Sequence, residues 1–193
     1  MTFDFETNQE KPPFSRIIAV DDVREAGLEL TLTADEVELM ALAFADGLES
    51  VDSFEARYSV RRKGRDKLYV KGVVTARINQ ICVVSLEPFT SELTEEFEVD
   101  FVPEEEALAA HEKAAAEIEA AQDKVAALAA QPDPPDPIIN GRVDLGVLAT
   151  EFFVLGLDPY PHKPGVEFKD IVSEDEDEKD PRFAALEKLK PKA

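Results

Sequence analysis

The sequence predicts an α+β fold: an antiparallel β-sheet, with partial closure into a barrel left open, packed helices and a protruding Ala-rich helix. Three observations predict it. From Val51 to Phe101 apolar and polar residues alternate with period two over three long segments. The helical signals on either side of that block are short and separately capped. At 193 residues and 44% hydrophobic composition, the chain is long enough to bury a core of ordinary size.

Residues 1–13 are polar, end in Pro12-Pro13 and read as a flexible N-terminal tail. Residues 14–170 read as one α+β domain, and 171–193 as an acidic tail with a short terminal helix. Phe14 to Val20 and Leu28 to Leu32 suit short strands. Thr33 and Glu36 have capping-box spacing, so a helix is expected to open at Thr33, bury a stripe of Val37, Met40, Ala41 and Phe44, and stop at Gly47.

The period-two segments 51–62, 67–84 and 90–102 read as antiparallel strands, with turns near Lys63-Gly64-Arg65 and Leu86–Phe89. In the last, Leu93, Phe97, Val99 and Phe101 share one face, while Glu92, Thr94, Glu96, Glu98 and Asp100 share the other. Such a strand has one dry and one wet side. Pro103 suits the first turn of an Ala-rich helical insertion over 103–131, poor in large apolar residues and therefore able to bury little.

Pro132 to Pro137 reads as a linker. Asp144 caps a last core helix, with Leu145, Leu148, Phe152 and Leu155 expected on its apolar face. Asp158 to Gly165 is a proline-fixed loop, and Asp180-Pro181 opens a terminal helix through Lys190.

The chain carries a formal charge of −21, which opposes tight non-specific binding to DNA or to an anionic membrane. One stretch reverses the sign. Arg57, Arg61, Arg62, Lys63, Arg65, Lys67, Lys71 and Arg77 face only Asp66, so 57–77 carries +7 and the remainder −28. Neutralising phosphates requires Lys or Arg, so RNA contact by such a protein has to use a local patch.

Strand parity sharpens that patch. If Tyr58, Val60, Leu68, Val70 and Val74 share the core face, an odd loop such as 63–65 sets Arg61 opposite Lys67 and Arg57 opposite Lys71. Tyr69 then lies on the same outer face, free to stack on a base. The RNA-contacting set is thus Arg57, Arg61, Arg62, Lys63, Arg65, Lys67, Tyr69 and Lys71. Arg77 is expected to be neutralised near Glu98, whereas Lys67 and Lys71, nearer the far end, escape the acidic strand more easily. The opposing reading is a solvated, internally balanced face, and parity leaves both open.

Three blocks in order resemble the YceD family of large ribosomal RNA subunit accumulation proteins. They are Cys82-Val-Val-Ser-Leu-Glu-Pro-Phe89 with the strand ending Phe101-Val-Pro103; Val143-Asp-Leu-Gly146, Glu151 and Leu157 to Gly165; and Phe183 to Lys190. The resemblance spans roughly 14–190. Its motif positions are Cys82, Leu86, Glu87, Pro88, Phe89, Asp144, Leu145, Glu151, Asp158, Pro159, Tyr160, Pro161, Lys163, Pro164 and Gly165.

It implies a non-enzymatic, bacterial, cytoplasmic factor supporting 23S ribosomal RNA accumulation and large-subunit biogenesis. The implied partner is 23S RNA or a large-subunit precursor. The alternative is an acidic adaptor for a basic ribosomal protein. Two departures stand out. Many relatives carry a second cysteine, with a basic residue between the two; here Val84 and Ser85 occupy those places. Arg182 stands where relatives usually have Pro.

The single cysteine excludes an internal disulfide and a thiolate-cluster metal site, and neither His111 nor His162 is near it in sequence. No metal or cofactor is expected. Cys82 reads as a small core residue rather than a reactive thiol. The proline loop is either rigid punctuation or a surface presenting Tyr160, His162 and Lys163. Glu151 is either solvated or turned inward to a cation. Phosphate loops, HExxH and GxSxG are all absent, so no enzyme is expected. The N-terminus lacks a basic, apolar leader, and no run is apolar enough to span a bilayer.

Overall fold

The computed structural model describes residues 12–167. The expectations for most of the N-terminal tail, the acidic stretch and the terminal helix lie outside the described residues.

Strand β1 (Ile17–Ala19) leads through a 3-10 turn (Val20–Asp22) to β2 (Leu28–Thr33) and helix α1 (Glu36–Ala45). Three long strands follow: β3 (Ser50–Arg62), β4 (Leu68–Ile81) and β5 (Pro88–Pro103). Then come α2 (Glu104–Ala120), α3 (Lys124–Ala130), β6 (Asp136–Ile138), β7 (Arg142–Asp144) and α4 (Leu145–Leu155). The main sheet runs β2-β3-β4-β5-β6, antiparallel except for β6, which lies parallel to β5. Its edges, β2 and β6, do not pair, so the sheet is open rather than a barrel. A second, two-stranded sheet joins β1 to β7.

The alternating pattern places Phe54, Ala56, Tyr58 and Val60 of β3 and Leu68, Val70, Val74, Ala76 and Ile78 of β4 in the core. Helix α4 covers them with Leu145, Leu148, Ala149 and Phe153. Phe54 meets Phe14 and Phe153 edge-on at 5.2 and 5.4 Å between centroids. Gly72 makes room for Phe97, whose ring would lie 2.3 Å from any β-carbon there. Phe97 in turn stacks on Phe152 at 4.1 Å. On the expected α4 face, Leu145 and Leu148 are buried and Phe152 packs against the core, but Leu155 is 71% exposed and Phe153, not expected there, is fully buried.

Five other expectations are corrected. Thr33 does not open α1, because it is still paired with Glu55 in the sheet. Asp35 is the cap instead, exchanging reciprocal hydrogen bonds with Glu38. The stripe Val37, Met40, Phe44 faces outward, and Leu42 and Ala43 are the buried residues of α1. The Ala-rich stretch is two helices rather than one, interrupted at 121–123 where Asp123 caps α3. Finally, Pro103 ends β5 and caps α2 instead of sitting in its first turn. The expected linker ends in a strand, with Phe101 beside Asp136 and Pro103 beside Ile138.

Candidate functional site

The β3–β4 hairpin has the expected parity, but its loop is five residues, closed by the Lys63 N–H donating to the Lys67 carbonyl at 2.9 Å. Arg61 therefore lies opposite Tyr69, Arg57 opposite Val73 and Ser59 opposite Lys71. The two like-charge pairs expected from a three-residue loop do not form. Tyr69 is half-buried and engaged within the chain: Lys63 Nζ sits 4.6 Å from its ring centroid, and the Glu98 carboxylate raises the phenol's pKa.

Six of the eight basic residues make ion pairs. Lys63 reaches Asp100 at 2.5 Å, Lys71 reaches Glu98 at 2.9 Å, and Lys67 reaches Glu106. Arg57 pairs with Glu55 on its own strand at 2.7 Å. Arg62, 23% exposed in its side chain, approaches Asp21 at 3.5 Å and donates to the Arg65 carbonyl at 2.5 Å.

Arg77 is neutralised as expected, but by Asp52 at 3.8 Å. Glu98 stands opposite Lys71 in the register, so Lys71 does not escape the acidic strand. Lys67 does escape that strand, but Glu106 in the first turn of α2 neutralises it instead. Among the described residues, Arg61 and Arg65 make no ion pair. The carboxylates that balance this tip come from β5, α2 and the 3-10 turn. Exposed pairs of this kind are weak, being screened by solvent and costly in side-chain entropy, so competing phosphates can displace them.

The motif corner lies at the other end of β4, about 45 Å away for a strand of this length at about 3.3 Å per residue. Here the chain turns through residues 82–87, so β4 is shorter than the expected segment. Leu86 takes φ +58° and is 74% exposed. The Val83 N–H donates to the Pro161 carbonyl at 3.0 Å, and Lys163 pairs with Glu87 at 2.6 Å. Pro88 opens β5 opposite Ile81, and Phe89 pairs with Gln80. In the loop, Asp158 accepts the Tyr160 N–H at 2.8 Å, Pro159 and Pro164 are exposed, and Gly165 turns the chain at φ +81°. The corner thus presents Leu86 and Tyr160, the latter 70% exposed, on a frame tied from both sides.

A second junction holds β1 to α4. Asp144 Oδ1 accepts from Arg16 N at 2.7 Å, Gly146 N at 2.9 Å and Val147 N at 3.2 Å. Its Oδ2 accepts from the Ser15 hydroxyl at 2.5 Å. The Tyr58 hydroxyl donates to the Leu145 carbonyl at 2.5 Å. Burial, and secondarily the charge of Asp144, raise the Tyr58 pKa well above the ordinary phenol value. Glu151 is exposed and lines a groove with Arg142 and Val147.

Residues 70–190 match the family model described as large ribosomal RNA subunit accumulation protein YceD. The chain belongs to this family. No curated protein and no solved structure matches it.

The YceD match begins within β4, later than the 14–190 expected from the motifs. Arg57 to Tyr69 therefore precede it, and only Lys71 of the proposed RNA contacts falls inside. The two YceD motifs separated by some seventy residues, 82–89 and 158–165, meet at the corner. Among the described residues no group of three or more His, Cys, Asp or Glu is placed to hold a metal ion. No described helix is long and apolar enough to cross a membrane.

Cys82 is the hub of the corner. It is fully buried, yet its sulfur accepts the Lys163 N–H at 3.3 Å and the Ser85 N–H at 3.5 Å. Burial alone pushes a thiol's pKa up. The Lys163 amide, then the Ser85 groups, act oppositely and hold it at about 6. The folded value lies below the unfolded one of about 8.5. The thiolate's contribution to stability is therefore full above about pH 8.5 and is lost as pH falls through about 6. Ultraviolet thiolate absorbance of the native protein is expected to titrate near pH 6 and to vanish in Cys82→Ser. A midpoint at the ordinary thiol value would refute this role for the amides.

Proposed function

We propose that this protein is a non-enzymatic factor supporting 23S ribosomal RNA accumulation and large-subunit biogenesis, touching RNA through the tip of the β3–β4 hairpin. Family membership supports the ribosomal role. The observation that carries the RNA contact is the clustering of Arg61, Arg62, Lys63, Arg65 and Lys67 at one end of the sheet. Arg61 and Arg65 lead, being without ion pairs among the described residues. Lys63 and Lys67 follow by exchanging exposed carboxylates for phosphates. Arg57, Tyr69 and Lys71 border the contact.

Filter binding of the full chain to 23S fragments across a salt series tests this. Neutralising Arg61, Lys63, Arg65 and Lys67 together is expected to weaken binding at least tenfold. The slope of log affinity against log salt is expected to fall by about 0.7–0.9 for each phosphate that the variant no longer neutralises. Unchanged affinity and slope remove the hairpin from the function.

A second reading, an acidic adaptor for a basic ribosomal protein, is favoured by the six cations already neutralised within the chain and by the −28 carried outside 57–77. Recovery of ribosomal proteins by the full chain from RNase-treated lysate, undiminished by the four hairpin substitutions, would favour it.

A further inference from the structure

Helix α1 turns its larger apolar side chains outward. Val37, Met40 and Phe44 are 68, 65 and 91% exposed and recur at i, i+3 and i+7, which places them on one helix face. Beside Met40 and Phe44 runs a groove of about 450 Å³ floored by Leu48 and Val51. At Leu48 it meets a second groove of about 480 Å³, which passes Ile81 and Val154 to Pro159 and Pro161.

The rim is acidic. Glu36 and Glu49 line the first part, Asp46 and Asp158 the second, and among the described residues no Lys or Arg lines either. Asp46 Oδ2 is buried without a hydrogen-bond partner, and burial holds its carboxyl above the usual range. It stands at the C-terminal cap of α1, whose last turn has no basic residue. The negative end of a helix disfavours an anion there and favours a cation. The groove therefore fits an apolar segment with helical spacing and positive charge. A second copy of α1 fits badly, since it would bring the same carboxylates together.

The chain contains such a segment. Outside the hairpin, residues 181–193 are the basic stretch: Arg182, Lys188, Lys190 and Lys192 against Glu187, a balance of +3, with Phe183, Leu186 and Leu189 three apart. Thirteen residues, 168–180, separate it from Glu167, and at about 3.3 Å each they reach about 43 Å. The mouth at Pro159 and Pro161 is a few residues upstream of that departure point. A tether of this length supplies an effective concentration on the order of millimolar, so modest intrinsic affinity suffices.

We propose that residues 182–190 seat in the α1 groove of their own chain, with Phe183, Leu186 and Leu189 on the Met40–Phe44 stripe and a basic side chain on Asp46. This seating does not rest on the RNA reading.

The test uses the full chain carrying Ala41→Cys and Ala185→Cys under mild oxidation at low micromolar concentration, with bonds assigned by peptide mapping. Buried Cys82 remains in place. Most molecules are expected to form the 41–185 bond within one chain, at least tenfold faster than a control pairing Ala115→Cys on exposed α2 with Ala185→Cys. Adding Asp46→Asn is expected to slow the bond at least threefold. A rate no greater than the control, or bonds predominantly between chains, overturns the proposal. An unchanged rate in Asp46→Asn overturns the role given to that carboxylate.

Discussion

Replacing Gly146 by alanine is expected to lower the melting temperature by about 6–12 °C, read by thermal denaturation followed by circular dichroism. The added β-carbon would lie 2.7 Å from the Arg16 nitrogen and the Ser15 α-carbon, and 2.8 Å from the Ser15 carbonyl carbon. These are backbone atoms of the segment entering β1, so no rotamer relieves the clash. Either α4 tilts off the sheet, opening the packing around Phe153, or β1 detaches from β7. Overpacking of this kind costs about 3 kcal/mol, and for a chain of this size each kcal/mol shifts melting by about 2–4 °C. A change under 2 °C would show that α4 and β1 can separate at little cost.

Two residues earlier, Asp144→Ala is expected to cost about 3 kcal/mol. The carboxylate both caps α4 and ties Ser15 and Arg16 to it. Loss of a cap alone costs about 1 kcal/mol, and hydrogen bonds to a charged group contribute about 1.5–3 kcal/mol. Asp144→Asn keeps an oxygen for the three backbone donors and exchanges only the Ser15 contact and the charge. Its expected cost is about 1 kcal/mol. Urea denaturation separates the cases: equal losses in the two variants would mean that charge, and not capping geometry, holds the junction.

Both predictions concern the Val143-Asp-Leu-Gly146 motif, which the sequence marked without explaining. Asp144 was readable as a cap because it precedes an apolar helical run. Its bonds to Ser15 and Arg16 were not, since they close a gap of almost 130 residues that local pattern does not encode. Long strands were legible for the converse reason: a period of two is a local property, and one wet face constrains it strongly. Register was less so. Parity allowed any odd loop, and choosing three residues over five displaced every predicted pair by two positions, converting two like-charge repulsions into Arg61 beside Tyr69 and Lys71 beside Ser59.

Helix α1 misled for a different reason. Val37, Met40 and Phe44 are bulkier than Leu42 and Ala43 taken together, so size alone points the helix the wrong way round. The helix covers one end of the sheet, where the small residue Ala43 fits closely and Leu42 fills the core. Nothing in the periodicity distinguishes an inward stripe from an outward one. Likewise the carboxylates that neutralise the hairpin were invisible as partners: Glu106 belongs to a helix whose docking depends on where β5 ends.

The parallel pairing of β5 and β6 has a consequence for what the fold can carry. Residues 104–135 leave the sheet beside Phe101 and return beside Asp136, and the two helices between bury only Ala107. Exit and re-entry are held together by the sheet, so the excursion's length is nearly free: doubling it adds only about 0.6 kcal/mol of closure entropy. Beyond its first turn, where Glu106 holds Lys67 and Ala107 is buried, the arm is a graft site, where a reporter domain or an arm of another length can be spliced while exit and re-entry stay anchored in the sheet.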